Sequence, residues 1–154
     1  MSLQIFIDAD ACPVRDETYR VAERHGVPVI IVANSFLRVP RHEMFTLVTV
    51  SDGFDAADDY IAERASQHTV VITADILLAD RCLKAGAKVI GPNGKPFTEN
   101  SIGSAVATRA IMADLRAGAE MPTVGGPPPF QAKDRSRFLS TLHETLEVLR
   151  RGQT

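Results

Sequence analysis

Short runs of β-branched and aliphatic residues alternate along the chain with longer stretches in which apolar positions recur every three or four residues. Leu3–Asp8, Val27–Ala33, Phe45–Val50, Thr69–Thr73 and Lys88–Gly91 read as strands, and Pro13–His25, Asp55–Ser66 and Ile76–Ala85 as helices. This rhythm is that of an α/β fold. Pro13 suits a first helical turn, where its missing N–H needs no partner, and Gly26 and Gly86 stand where left-handed glycine caps end helices. The strands are apolar enough to be covered on both faces, which favours parallel pairing. We therefore expect a doubly wound, mostly parallel five-stranded sheet in the order 3-2-1-4-5.

Two further helices are expected at about Glu99–Ala117 and Asp134–Arg151, joined by an irregular loop over Gly118–Ala132 that contains Gly125-Gly126-Pro127-Pro128-Pro129. In the last helix Phe138, Leu139, Leu142, Leu146 and Leu149 form one apolar stripe, which suits docking on the core. No repeat or composition break marks a boundary, so residues 1–154 read as one domain with a helical extension over about 99–151.

At 154 residues and 45% hydrophobic, the chain is long enough to bury a core without disulfides or a structural metal. Its apolar runs are far shorter than the ~20 residues that a membrane span needs, so no membrane association is expected. Residues 1–8 carry neither a basic start nor a long apolar segment, so no signal peptide is read and the cytoplasm is the expected compartment. Cys12 and Cys82 have no metal-type or redox-type spacing. The net charge of −2 hides an asymmetry, since residues 1–82 carry 13 acids against 7 bases and residues 83–154 carry 6 against 10.

In open parallel sheets the loops after the carboxyl ends of strands form the crevice, and here those loops are acidic. Strand one ends in Asp8-Ala9-Asp10, the third runs into Ser51-Asp52-Gly53-Phe54-Asp55-Ala56-Ala57-Asp58-Asp59, and the fourth ends in Thr73-Ala74-Asp75, with Asp80 beyond. In the order 3-2-1-4-5, Asp8 and Asp75 become neighbours. Ionised carboxylates at such range repel unless protons or a cation compensate them, and an oxygen-only set suits Mg²⁺ or Mn²⁺. Simpler roles compete: Asp55 and Asp75 as helix N-caps, Asp58 as a first-turn dipole partner, and Asp80 paired with Lys84. Asp8 has no helix to cap.

His25, His42, His68 and His143 are scattered, with no His-x-x-x-His pair, so no zinc site is expected. There is no glycine-rich dinucleotide fingerprint, no P-loop and no serine-hydrolase elbow. Acidic neighbours are expected to raise the pKa of Cys12 and blunt it as a nucleophile.

The segments Asp8-Ala9-Asp10-Ala11-Cys12-Pro13-Val14, Ser51–Asp58, Thr73-Ala74-Asp75-Ile76-Leu77-Leu78-Ala79 and Gly91-Pro92-Asn93-Gly94 together resemble the bacterial YaiI/YqxD family. The resemblance runs from Ile5 to about Leu149 and includes Lys133-Asp134-Arg135-Ser136-Arg137-Phe138. That family is similar to PIN-like nuclease domains, whose acids match Asp8, Asp55 and Asp75, with Asp10, Asp58 and Asp80 as supporting acids. The resemblance implies a metal-dependent nuclease, acting on RNA more than DNA, in which Asp8, Asp55 and Asp75 are catalytic. All six acids are candidate Mg²⁺ or Mn²⁺ ligands, and Arg38, Arg41, Lys133, Arg135 and Arg137 would neutralise a single-stranded RNA backbone.

Two other readings stand beside it. Ile5-Phe6-Ile7-Asp8-Ala9-Asp10 fits the opening of a haloacid-dehalogenase-like phosphatase, with Asp8 as nucleophile and Asp10 as general acid, although that superfamily's later motifs are missing. The other is a non-catalytic domain that binds RNA or a protein partner.

Overall fold

The computed structural model describes residues 3–10, 12–51, 53, 55–104, 107, 108, 111 and 130–152. Five strands pair in parallel as expected: β1 (Gln4–Asp8), β2 (Val29–Ala33), β3 (Phe45–Thr49), β4 (Thr69–Ile72) and β5 (Lys88–Ile90). A sixth, β6 (Pro96–Phe97), pairs antiparallel with β5, and the sheet order is β3-β2-β1-β4-β5-β6. The order 3-2-1-4-5 thus holds, extended by a strand that two residues beginning with Pro could not announce. Central β1 is bonded on both sides, with Ile5 opposite Val29 and Val70, and Ile7 opposite Ile31 and Ile72.

The pleat sorts the side chains of β1 into two cores. Ile5 and Ile7 join Val29, Ile31, Val70 and Ile72 beneath α1 (Arg15–His25) and the C-terminal helix, while Phe6 points the other way, with Val32 and Val71, towards α2 (Ala56–Arg64) and α3 (Ile76–Lys84). The result is a three-layer α/β/α sandwich, which is why the strands lack alternating polarity. Gly26, at φ 67°, ends α1 in the left-handed conformation, and Val27 N–H donates to Ala22 O at 2.9 Å. On the α2/α3 side, helical residues 99–104 add buried Ile102. Most of the helix expected over 99–117, and the Gly/Pro-rich segment after it, lie outside the described residues.

The C-terminal helix, α4, spans Ala132–Arg151. It starts two residues before the expected Asp134, because Asp134 is not the cap: its carboxylate reaches back to accept from Gln131 N–H at 2.9 Å. The apolar stripe does dock on the core, with Phe138, Leu142 and Leu146 fully buried and Leu139 and Leu149 packed at the margin. Its contact with the 91–95 turn is very close. Thr141 Oγ1 donates to Gly94 O at 2.7 Å, Arg137 donates to Asn93 O at 3.2 Å, and Gly94 sits at φ 85°.

A Cβ on Gly94 would stand 2.5 Å from Phe138 N, so neither the backbone conformation nor the space admits a side chain. Gly94→Ala should cost at least about 1 kcal/mol of stability from the backbone conformation alone, with the clash adding to it. Urea unfolding checks this, and a midpoint equal to that of the parent would show that α4 is not seated as described.

Candidate functional site

The carboxyl ends of the strands open onto a cleft of about 350 Å³ lined by Asp8, Asp10, Cys12, Asn34, Ala57, Asp58, Thr73, Ala74, Asp75 and Pro92. Residues that follow β1, β2, β4 and β5 meet there with the first turn of α2. This is the switch point of the doubly wound sheet, where the connections after β1 and β4 leave towards opposite faces.

Each acid is held by a different device. Asp8 ends β1, half-buried, and its Oδ2 accepts from Thr73 Oγ1 at 2.8 Å. Thr73 is itself oriented, since its Oγ1 accepts from Asp75 N–H at 3.0 Å. Asp75 caps α3 as the simpler reading expected, with Oδ1 accepting from Leu77 N–H at 2.8 Å and Leu78 N–H at 3.2 Å. It lines the cleft as well, so capping and site membership coincide. Asp10 Oδ2 accepts from Asn34 N–H at 3.3 Å, which ties the end of β1 to the residue just after β2. Asp58 lies in the first turn of α2, where the helix dipole favours a negative charge.

The grouping has an electrostatic cost. Asp8 is raised above the ordinary carboxylate value, chiefly by burial and further by the charges of Asp10 and Asp75, while the Thr73 hydrogen bond opposes the rise. Asp58 is pushed from 3.8 up to about 6, by burial first and then by Asp75, Asp8 and Asp55, with Arg81 pulling the other way. Cys12 is pushed up to about 11, mainly by burial, with smaller contributions from Asp8 and Glu17. It stays a protonated thiol at neutral pH, in line with the expectation from sequence.

The other candidate residues are placed apart from the cleft lining. Asp55 occupies the N-cap position of α2 without a capping hydrogen bond from its side chain, and Asp58 is the residue of that segment that lines the cleft. Asp80 is bound to Lys84 Nζ at 2.8 Å, one helical turn on, so its simpler reading is the one realised. Asp59 is likewise taken by Arg81 at 2.9 Å. Among the bases, Arg135 Nε lies 3.1 Å from Glu17 Oε1 and Arg137 bonds to Asn93 and pairs with Asp134, so both serve to seat α4. Arg38, Arg41 and Lys133 are exposed.

Three features are not anticipated by the sequence pattern. Asn34 stands after β2 much as Asp75 stands after β4, and attention to the amide-bearing as well as the acidic residues at strand ends finds it. Thr73, the residue just after β4, aims its hydroxyl at Asp8. Phe36, two residues beyond Asn34, is 81% exposed, and Leu77, two beyond Asp75, is 56% exposed. In addition, among the described residues the group of three ligand-type side chains whose donor atoms all fall within 4.8 Å of one another is not in the cleft; it is His25, His143 and Glu147.

The profile of a family described as "Uncharacterized BCR, YaiI/YqxD family" matches residues 6–148. A UPF0178 protein of Sphingopyxis alaskensis is 64% identical over 148 residues, 96% of each chain. A UPF0178 protein of Nitrobacter winogradskyi is 57% identical over 151 residues, covering 98% of this chain and 95% of its own. One from Bradyrhizobium diazoefficiens is 56% identical over 148 residues, covering 96% and 87%. No solved structure matches the chain.

Asp58 makes the cost of the cleft measurable. Because its folded pKa of about 6 lies above the unfolded 3.8, its contribution to stability is full below 3.8 and is lost as pH rises through about 6. Asp58→Asn should therefore gain on the parent between pH 4 and pH 7, by up to about 1 kcal/mol once solvent screening of this half-exposed group is counted. Urea titrations at the two pH values test it, and a gap that does not change with pH would remove the strain.

Proposed function

We propose that this chain, which belongs to the YaiI/YqxD family, is a metal-dependent phosphodiesterase of the bacterial cytoplasm that cleaves single-stranded nucleic acid, RNA in preference to DNA. The observation that carries the reading is the convergence of Asp8, Asp10, Asp58 and Asp75 on one cleft at the switch point of the sheet. Three independent segments deliver carboxylates there, and Asp8 and Asp58 are raised by burial first and by the neighbouring acids second.

The donor set fits a hard divalent cation. It is oxygen-only, and Mg²⁺ commonly keeps several waters and takes only one or two carboxylates directly, so acids spaced around a cleft suit it. Asp8 and Asp75 each have one carboxylate oxygen engaged, by Thr73 and by the α3 amides, and offer the other to the ion. Asp58 takes the place that the resemblance assigns to Asp55, and Asp10 supports from the rim. Bound there, Mg²⁺ or Mn²⁺ supplies a more acidic water and stabilises charge developing on the phosphate oxygens. Thr73 keeps Asp8 facing the cleft, and Asp10 and Asp58 orient the attacking water.

The flanks suit a strand of nucleotides. Phe36 presents an aromatic face for a base to stack on, and exposed Arg38 and Arg41 follow it in the same segment. Lys133, at the start of α4, is a further exposed cation. A phosphatase of the haloacid-dehalogenase kind is less well supported, because no lysine that could hold a transferred phosphoryl group lines the cleft among the described residues.

With Mn²⁺ and a fluorescent single-stranded RNA, the parent should cleave, and Asp8→Asn or Asp75→Asn should lose about 100-fold or more in rate with the fold intact by circular dichroism. Metal and RNA binding without cleavage of RNA or DNA would replace this reading with a binding domain, and an aspartyl-phosphate trapped on Asp8 would replace it with the phosphatase. Separately, Phe36→Ala should weaken RNA binding by about 5- to 100-fold, as removal of one stacking platform does. Arg38→Ala with Arg41→Ala should flatten the salt dependence by about 0.7 in slope for each phosphate that is no longer neutralised. Unchanged affinity and slope in these exposed-residue variants would place the strand elsewhere.

A further inference from the structure

Away from the cleft, at the far end of α1, two helices bring together three side chains of the kind that bind transition metals. His25 is the last residue of α1, and its ring is buried against α4. His143 and Glu147 stand one turn apart on α4. His25 Nε2 lies 2.8 Å from His143 Nδ1, and His25 Nδ1 lies 3.8 Å from Glu147 Oε1. One donor atom from each of the three falls within 4.8 Å of the other two.

We propose that His25, His143 and Glu147 form a binding site for a borderline divalent transition-metal ion of the Zn²⁺ class, which fastens the end of α1 to α4. Two imidazoles and a carboxylate are a set that such ions take with three protein ligands and an open fourth position, whereas the oxygen-only cleft suits harder ions. His143 faces Nε2 of His25 and Glu147 faces its Nδ1, so an ion on Nε2 draws the Glu147 carboxylate round from the other side of the ring, a rotation that its partly exposed side chain permits. Two nitrogens on a tetrahedral Zn²⁺ stand about 3.3 Å apart, so the rings need to separate by about half an ångström. His143 is exposed, which lets its ring make that adjustment while the buried His25 stays in place.

Charged groups also face the buried ligand: Glu147 and Arg150 approach it from α4, and Arg24 precedes it on α1. Arg150 is the competitor: its guanidinium lies 3.3 Å from His25 Nδ1 and repels an arriving cation. Arg150 is exposed and can swing into solvent. Removing it strengthens the site, an outcome that a mere packing contact between helices does not produce.

The test uses tag-free full-length protein, titrated with Zn²⁺ by calorimetry and with Co²⁺ by its visible absorption, in the parent and in an Asp8→Asn/Asp58→Asn background that disables the cleft. The expected result is one ion per chain in both, with the absorption of four-coordinate Co²⁺ and a raised melting temperature. Binding should weaken about 10-fold or more in His143→Ala and in Glu147→Gln, both of which change residues outside the core, and should tighten in Arg150→Ala. No binding by the parent, equal binding by His143→Ala and Glu147→Gln, or loss of binding in the cleft-disabled background would each overturn the proposal. None of these outcomes bears on whether the cleft cleaves a phosphodiester.

Discussion

Parallel pairing of β1 with β4 is the constraint on which the rim of this molecule depends. Parallel strands deliver their carboxyl ends to one edge, and the central position of β1 places Asp8 within reach of Thr73, just after β4, and Asp10 within reach of Asn34, just after β2. The charges of Asp10 and Asp75 then act on Asp8, and those of Asp75, Asp8 and Asp55 on Asp58. Local hydrogen bonding and dipoles offset that repulsion: a hydroxyl for Asp8, a backbone amide for Asp10, the amides that open α3 for Asp75, and the dipole of α2 for Asp58. Burial adds to the repulsion and is the larger cause of the raised values of Asp8 and Asp58.

The two helical layers divide the labour. α2 and α3 begin at the rim, where the first turn of α2 contributes Asp58 and the N-cap of α3 contributes Asp75 to the cleft. α4 contributes no residue to the lining, yet it holds the 91–95 turn through Gly94 and Asn93, and Pro92 of that turn forms part of the wall. Arg135 serves the same seating by approaching Glu17, a buried acid of α1 whose other carboxylate oxygen has no hydrogen-bond partner among the described residues. The basic residues at the start of α4 thus divide between internal contacts and the exposed Lys133.

The order of the sheet was legible because strand length, apolar continuity and helix-ending glycines agree: Ile5-Phe6-Ile7 can only be covered on both faces, and Gly26 ends α1 as expected. The acids after strands one and four were legible for the same reason. Between Asp55 and Asp58 the sequence could not decide, since both suit a helix start, and only the rotation of α2 on the sheet brings the second to the cleft. β6 carries no periodic signal in two residues. The convergence of His25 with His143 and Glu147 spans 118 positions, and its only local trace is the four-residue spacing of the last two, which a search for paired histidines passes over.

The two margins of the sheet differ in what they expose. On one side β3 is a five-residue strand with no strand paired beyond it among the described residues. On the other, β6 is two residues long and one of them is Pro96, which has no amide hydrogen to offer a newcomer. Strand-by-strand growth of the sheet into a polymer needs adhesive edges at both ends. The small antiparallel strand is a poor template for a further strand, so growth of that kind is hindered at this end.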